Sequence, residues 1–495
     1  MSQIKQRFSA KIVRFIVFND KWGPKEGEEI QKLIYFQTNE AKKGEKDERF
    51  AEMNGDLNLD CSKPEIQTII NDIGLCECVV RFVKNFGENE EVKSVHGSKV
   101  RLVLEEVEPD FWMCLSLSVP RSVIKTTLNK DDQIEQQIIE YHDEELNDYF
   151  VKLLIKQIYE TFFLLNGSLR EIWKQKLESL HALRQVCSQF FGWFLPSIKA
   201  FSVNLIELFG AIQYLPLDNI TFLEAQSFVN HVMFCDPLCE HIMFLYNEQL
   251  ISSSLDLKNT RVIYRYLVSV IIPEAASEEM SESFRTRTKR KTRYVKTGVR
   301  IHLFGVKKSL LMNIYRSVHG TTVVLFFSDK DTSTSVALSK CDLFMSSRLH
   351  DLSTKLGEVS VRVNSQEQQL SYSSHQDPLQ PDFFKFAYFN GSNSAFKSNS
   401  GSGGILDHRK ISDSEFVKLI IDIESDLRTV LSLKDASNVI EIVAKTTNES
   451  WLVVHQSDAR TIFSLLNHKN ANLVEASEAV ALHMAKQFSN ILFID

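Results

Sequence analysis

Glycine and proline are both scarce in this chain, at 18 and 10 of 495 residues. Each is about half its usual share or less, which excludes collagen-like and Pro/Gly-rich disordered classes. Long apolar runs are missing too. The longest, such as Phe111–Leu115 and 322–327, have the length of strands, far below the roughly 18 residues a membrane span needs. Residues 1–14 carry no apolar segment of the kind that marks a secretory leader. The cysteines are few: eight, at 61, 76, 78, 114, 187, 235, 239 and 341, mostly inside apolar stretches. They read as free, buried thiols of a reducing compartment rather than a disulfide framework. Excess positive charge is lacking as well. Lysine and arginine total 57 against 64 acidic residues, a net charge of −7, which argues against a whole-chain nucleic-acid binder. Catalytic signatures are absent from the sequence: it holds no G-x-x-x-x-G-K-[ST] phosphate loop, no G-x-S-x-G elbow and no H-E-x-x-H pair.

What is present is ample core material, with 34 phenylalanines, in a chain long enough for roughly three domains. The first block opens with Ile12–Phe18, nearly continuous apolar and thus a buried strand. A turn-rich loop, Asn19–Gly27, leads to a second strand at 32–37. Residues 38–68 are polar and mixed in charge, an insertion. A helix is predicted over 69–87, strands at 98–105, 111–119 and 136–141, and helices over 143–165 and 168–191. The second block has a helix at 219–234, a strand pair at 240–246 and 249–254, a helix at 259–271 ended by Pro273, and a loop at 274–298. Strands near 300–305, 308–316 and 321–327 and a helix at 340–356 complete it. The third has a strand at 383–390, a Ser/Gly-rich flexible loop at 391–404, a helix at 412–430 and strands at 438–446, 450–456 and 460–467. Its last helix, 473–490, opens with Asn472 and Glu475 at capping-box spacing. The expected domains are 1–192, 193–375 and 376–495. A faint echo links them: Phe18-Asn19-Asp20, Tyr246-Asn247-Glu248 and Phe389-Asn390-Gly391 each end an apolar strand in a turn.

The predicted helix 69–87 has two apolar stripes. Ile69, Ile73, Cys76, Val80 and Val83 form one; Leu75, Val79, Phe82 and Phe86 form the second; Glu77, Arg81 and Lys84 are a narrow polar strip. Such a helix must be covered on more than one side. Either the insertion or helix 143–165 covers the second stripe, or another protein does. In the loop, Trp22 is a large aromatic among turn residues, either a core cap or an interface anchor. His231, Cys235, Cys239 and His241 offer zinc-type ligands. However, they straddle a helix end, a proline and a strand, so core thiols and a surface histidine are the expectation. Cys76 and Cys78, two apart on a helix, cannot be vicinal redox partners, and both read as packing residues. Arg285, Arg287, Lys289, Arg290, Lys291, Arg293 and Lys296 crowd seven cations into twelve residues. They read as a solvated loop, an attraction to anionic lipid, or a nuclear-import or nucleic-acid patch.

Several segments resemble the Ccz subunits of the Mon–Ccz complexes: Phe18–Glu29 (FNDKWGPKEGEE), Ile73–Glu77, Phe111–Met113, Phe244–Asn247, Lys469–Glu475 and Gln487–Ile491. The resemblance runs from about residue 12 to 495 and weakens at 38–70, 274–298 and 391–410. It implies an α+β fold of three longin-type domains, each a five-stranded antiparallel sheet flanked by helices. It implies a heterodimer with a Mon-type longin subunit that acts as a guanine-nucleotide exchange factor on a late-endosomal Rab GTPase of the Rab-seven type. The process implied is endosome maturation and fusion of endosomes, phagosomes and autophagosomes with lysosomes; a non-catalytic tethering or adaptor protein is the alternative. A third regulatory subunit is possible. No cofactor, metal or nucleic acid is implied, and the location expected is cytoplasmic, with recruitment to late-endosome, lysosome and phagosome membranes. On that view Trp22, Gly23, Pro24, Glu26, Gly27, Leu75, Val79, Phe82 and Phe86 face partner or GTPase. The basic run, Arg285 to Arg293 above all, faces an anionic, phosphoinositide-bearing membrane.

Overall fold

A computed structural model describes residues 3–25, 27–38, 64–84, 94–127, 135–176, 178–198, 205–283, 292–317, 319–328, 334–372, 384–398, 414–433, 439–467 and 471–487. It divides into two compact units, Met1–Val203 and Asn204–Asp495.

The first unit runs β1 (Gln3–Phe8), β2 (Ile12–Asn19), β3 (Leu33–Thr38), α1 (Pro64–Lys84), β4 (Ser94–His96), β5 (Val100–Glu108), β6 (Phe111–Ser118), β7 (Arg121–Thr127), β8 (Glu135–Tyr141), α2 (Asp148–Asn166), α3 (Leu169–Gln175) and α4 (Leu180–Ser197). Five strands form an antiparallel sheet in the order β3-β2-β6-β5-β4. Strands β2 and β6 are mostly apolar because both sheet faces are covered. Alternation sends Phe15 and Val17 to one face and Ile16 and Phe18 to the other. Helices α2 and α4 fill the first face, where Phe162 stacks on Phe191 at 5.4 Å and meets Phe190 edge-on at 5.3 Å. Helix α1 covers the second with Ile69, Ile73, Cys76 and Val80.

Three expectations change here. Segment 136–141 is not the fifth strand of this sheet: β8 pairs with β7 in a separate sheet, β1-β7-β8. The place is held by Ser94–His96, too short to show any alternation. The helix expected from 143 starts at Asp148, because Asn147 caps it by accepting the N–H groups of Tyr149 and Phe150. The helix expected over 168–191 breaks at Glu178, whose φ of 58° is left-handed, and restarts under the Ser179 cap. Residue 192 therefore lies inside α4, and the 39–63 part of the insertion lies outside the described residues.

The second unit continues with α5 (Leu205–Phe209), α6 (Asn219–Cys235), β9 (Cys239–Tyr246), β10 (Gln249–Ser253), α7 (Leu257–Tyr266), α8 (Ile272–Ser283), β11 (Thr292–His302), β12 (Ser309–Ser317), β13 (Thr321–Ser328) and α9 (Thr334–Tyr372). Then come β14 (Phe384–Asn390), β15 (Ala395–Ser398), α10 (Ser414–Leu433), β16 (Val439–Lys445), β17 (Trp451–Ser457), β18 (Arg460–Leu466) and α11 (Leu473–Gln487). Its two sheets are ordered β10-β9-β13-β12-β11 and β15-β14-β18-β17-β16. Both repeat the strand order of the first sheet. The aromatic-Asn echo falls at one topological position, the end of the first strand of each sheet. Asn19 and Asn390 accept the N–H two residues on, at 3.0 Å each, to start their turns; Asn247 turns by adopting φ 52°.

The expected loop at 274–298 is instead largely helix and strand. Pro273 does not end the helix. The backbone passes through a π-helical turn, Leu267–Ile271, before the proline, and α8 continues after it. A wider turn accommodates a residue that has no N–H to donate. Within the Ser/Gly-rich stretch, Ala395–Ser398 pairs with β14, and Phe396 lies 6.2 Å from the ring of Phe209. The expected capping box at Asn472 and Glu475 forms reciprocally, at 2.9 and 3.0 Å.

Segment 211–215 joins the two sheets of this unit. The Ile212 N–H donates to the Ser394 carbonyl at 2.7 Å, and its carbonyl accepts from Phe396 at 3.0 Å. The Gln213 carbonyl accepts from Leu250 at 2.7 Å, and the Leu215 N–H donates to the Leu250 carbonyl at 3.0 Å. One stretch thus covers the outer edges of β10 and β15. Among the described residues no helix is long and apolar enough to cross a membrane.

Candidate functional site

Helix α1 presents two different faces. Ile73 and Val80 are fully buried on the sheet, against Ile16, Phe18, Leu104 and Trp112. Leu75 is 52% exposed and Phe82 62% exposed. Val79 lies between, half-buried and packed at the margin of the core. Cys78 is exposed on the same outward side, so it is not the packing residue expected, while Cys76 is buried. Helix α2 does not cover the outward stripe, because it packs on the opposite face of the sheet. Phe86 lies outside the described residues.

The orientation of α1 is fixed by ion pairs. Arg14 bonds Asp72 at 2.7 Å. Lys32 Nζ lies 2.5 Å from Glu77 Oε2, both side chains almost wholly buried. Arg81 joins Glu77 from the solvent side. The polar strip read from the sequence is therefore half anchor. Its buried partner, Lys32, was missed, and the only signal for it was a lone lysine at the head of an apolar strand.

The loop between β2 and β3 is held from below and from both ends. Trp22 is half-buried, its ring 5.6 Å edge-on from Phe111 and 5.2 Å from Trp173. Gly23 has φ +50°, and a Cβ there would collide with the Glu28 carbonyl, so the position requires glycine. Pro24 and Gly27 are exposed, and Glu26 lies outside the described residues. The backbone N–H groups of Glu29 and Gly27 hold the Glu29 carboxyl below its ordinary value. At the far end, Arg184 reaches from α4 to donate to the carbonyls of Leu33 (2.7 Å) and Ile30 (2.8 Å). Burial pushes that guanidinium down to about 10. The loop is thus shaped by Gly23 and anchored by Trp22 on the α2/α4 side of the sheet, with Pro24 and Gly27 left to solvent, while α1 presents its apolar stripe from the other side; these are surfaces suited to binding rather than bond-making.

The zinc-type residues do not gather. The His231 ring stacks on Phe344, and its Nδ1 lies 2.6 Å from the Ser227 carbonyl. Cys239 and Cys341 are pushed up to about 12 by burial, which keeps them as protonated thiols. Among the described residues the one group of three metal-capable side chains is His142, Glu144 and Glu145. Of the basic run, Arg285, Arg287, Lys289, Arg290 and Lys291 lie outside the described residues. Arg293 is half-buried on β11, and Lys296 pairs with Glu274 at 2.9 Å.

Comparison with known proteins agrees with this architecture. Residues 12–167 match the family model described as the first longin domain of INTU, CCZ1 and HPS4. Residues 239–352 and 382–481 match the Intu longin-like domains 2 and 3. Vacuolar fusion protein CCZ1 homolog of Xenopus tropicalis is 27% identical, over 99% of this chain and 98% of its own length. The Nematostella vectensis protein of that name is 28% identical over 98% of both, and the Dictyostelium discoideum one 26% over 97% of both. With three longin folds in matching order, alignable from end to end with these relatives, the chain belongs to the CCZ1 family of longin-domain proteins.

Proposed function

We propose that this chain is a vacuolar-fusion factor that works as one subunit of a guanine-nucleotide exchange factor. It pairs with a Mon-type longin subunit and acts on a Rab-seven-type GTPase of late endosomes and lysosomes. The observation that carries the reading is the outward stripe of α1, with Leu75 and Phe82 exposed on a helix whose other face is fully buried. An apolar stripe left exposed on a helix fits a protein partner. Exchange needs no covalent catalyst: a factor that binds the nucleotide-free GTPase more tightly than the loaded form shifts that equilibrium by differential affinity. Residues 1–192, 193–375 and 376–495 would serve as the three domains, the first pairing and gripping the GTPase through the Trp22–Gly27 loop. The seven cations of 285–296, in a chain of net charge −7, would favour an anionic membrane surface by about 1 kcal/mol per cation near it.

The test is release of fluorescent GDP from a panel of Rab GTPases by the purified chain with its Mon-type partner. Acceleration confined to the Rab-seven type is expected. No acceleration of any GTPase would leave the chain a tether or adaptor.

A further inference from the structure

Helices α6 and α9 lie side by side on one core, α6 through Phe228 and Val232, α9 through Cys341, Met345 and Leu349. They run antiparallel. Lys355 bonds both carboxylate oxygens of Glu224, at 2.8 and 2.9 Å, toward one end, and the His231 ring stacks on Phe344 toward the other. An open groove of about 530 Å³ runs between them over Phe228 and Leu352.

The two walls of this groove differ. On α6, Ile220, Leu223, Ser227, His231 and Phe234 recur at spacings of three and four, one row along the helix. Ile220 is 73% exposed and Leu223 65% exposed, and Phe234 at the far end is also exposed. Single exposed apolar side chains are ordinary, but a row of them along a groove marks a contact surface. On α9 the corresponding row is Phe344, Arg348, Asp351 and Lys355, mostly charged. Arg348 lays its guanidinium over the Phe344 ring at 4.6 Å. A stacked guanidinium keeps N–H groups at its edge to donate to a carboxylate. Asp351, one turn further on, is exposed and lines the groove.

Each row is complementary to its own reverse. Turned end for end about Ser227, the α6 row sets Ile220 against Phe234 and Leu223 against His231, with the small Ser227 at the centre. Turned about the midpoint between Arg348 and Asp351, the α9 row sets Arg348 against Asp351 twice. The two centres also coincide in the fold. With Glu224 beside Lys355 and His231 beside Phe344, Ser227 stands level with the Arg348–Asp351 turn. A single two-fold axis across the helix pair therefore matches both rows at once.

We propose that the α6–α9 face docks onto the same face of a second copy of this chain, α6 on α6 and α9 on α9, each pair antiparallel, as a four-helix layer about a two-fold axis. The α6 rows supply the apolar burial, and the two Arg348–Asp351 pairs set the register. The seam is about four helical turns long, so the dimer is concentration-dependent.

The test is sedimentation velocity of the full chain across a concentration series, with charge reversals. Arg348→Glu and Asp351→Arg each set like charges against one another twice, and each is expected to weaken association by about tenfold or more. An equimolar mixture of the two variants restores opposite charges at both contacts and is expected to dimerise as the parent does, which also shows that both variants fold. A chain that stays monomeric throughout, a dimer indifferent to both reversals, or a mixture no tighter than the single variants would each overturn the proposal. So would reversals that weaken capture of the Mon-type subunit while the chain alone stays monomeric, an outcome that gives this face to that partner instead.

Discussion

Lys32 and Glu77 meet where neither is solvated, and each is tolerable only because the other is there. Desolvation of a buried pair offsets much of its attraction, whereas removing one partner strands the other. Glu77→Gln is therefore expected to destabilise the first unit by about 3–5 kcal/mol, while Lys32→Met with Glu77→Leu stays near the parent. Urea denaturation at neutral pH reads both. The pair shows what a sequence conceals at this scale. The polar strip holding Glu77 follows from helical period alone, but its partner lies 45 residues away, and no local pattern carries that distance. Cys78 shows the reverse error. A cysteine in an apolar stretch reads as buried, yet here it stands two positions from Cys76 on the outward side of the same helix.

At the scale of the element, α1 was the most legible part of the molecule. Two apolar stripes at helical spacing announced one face for the sheet and one for something else, and exposure separates Leu75 and Phe82 from Ile73 and Val80. Val79 sits at the core margin, so a charge there mixes folding with binding. Phe82→Asp is the cleaner probe. It is expected to weaken capture of the Mon-type subunit by about tenfold or more, as loss of an aromatic anchor does. Stability is expected to shift by no more than about 0.5 kcal/mol, as at other surface positions. Titration of binding beside thermal melts separates the two effects; equal loss of both would place Phe82 in the fold instead. Elements were misread where pattern is thin. Ser94–His96 is too short to alternate, so the better-patterned Glu135–Tyr141 took its place in the expected sheet. Pro273 read as a stop, because a π-helical turn that absorbs a proline leaves no mark in residue spacing.

Across the whole molecule, the three sheets share one strand order, and the aromatic-Asn echo marks the same strand end in each. That repetition, with the family resemblance, made the architecture legible from 495 residues despite the scarcity of glycine and proline punctuation. The covering of β10 and β15 by segment 211–215 was not legible, since shared edges arise only when two sheets meet. The central claim is that one face of α1 is kept apolar for a second longin chain. Cys78 reports on that face directly, being exposed there between Leu75 and Phe82. The measurement is the rate of N-ethylmaleimide modification of Cys78, read by peptide mass spectrometry, for the chain alone and in the assembled complex. Thiol modification depends on access, so the rate is expected to fall by at least about tenfold on assembly. An unchanged rate in an intact complex would contradict the claim.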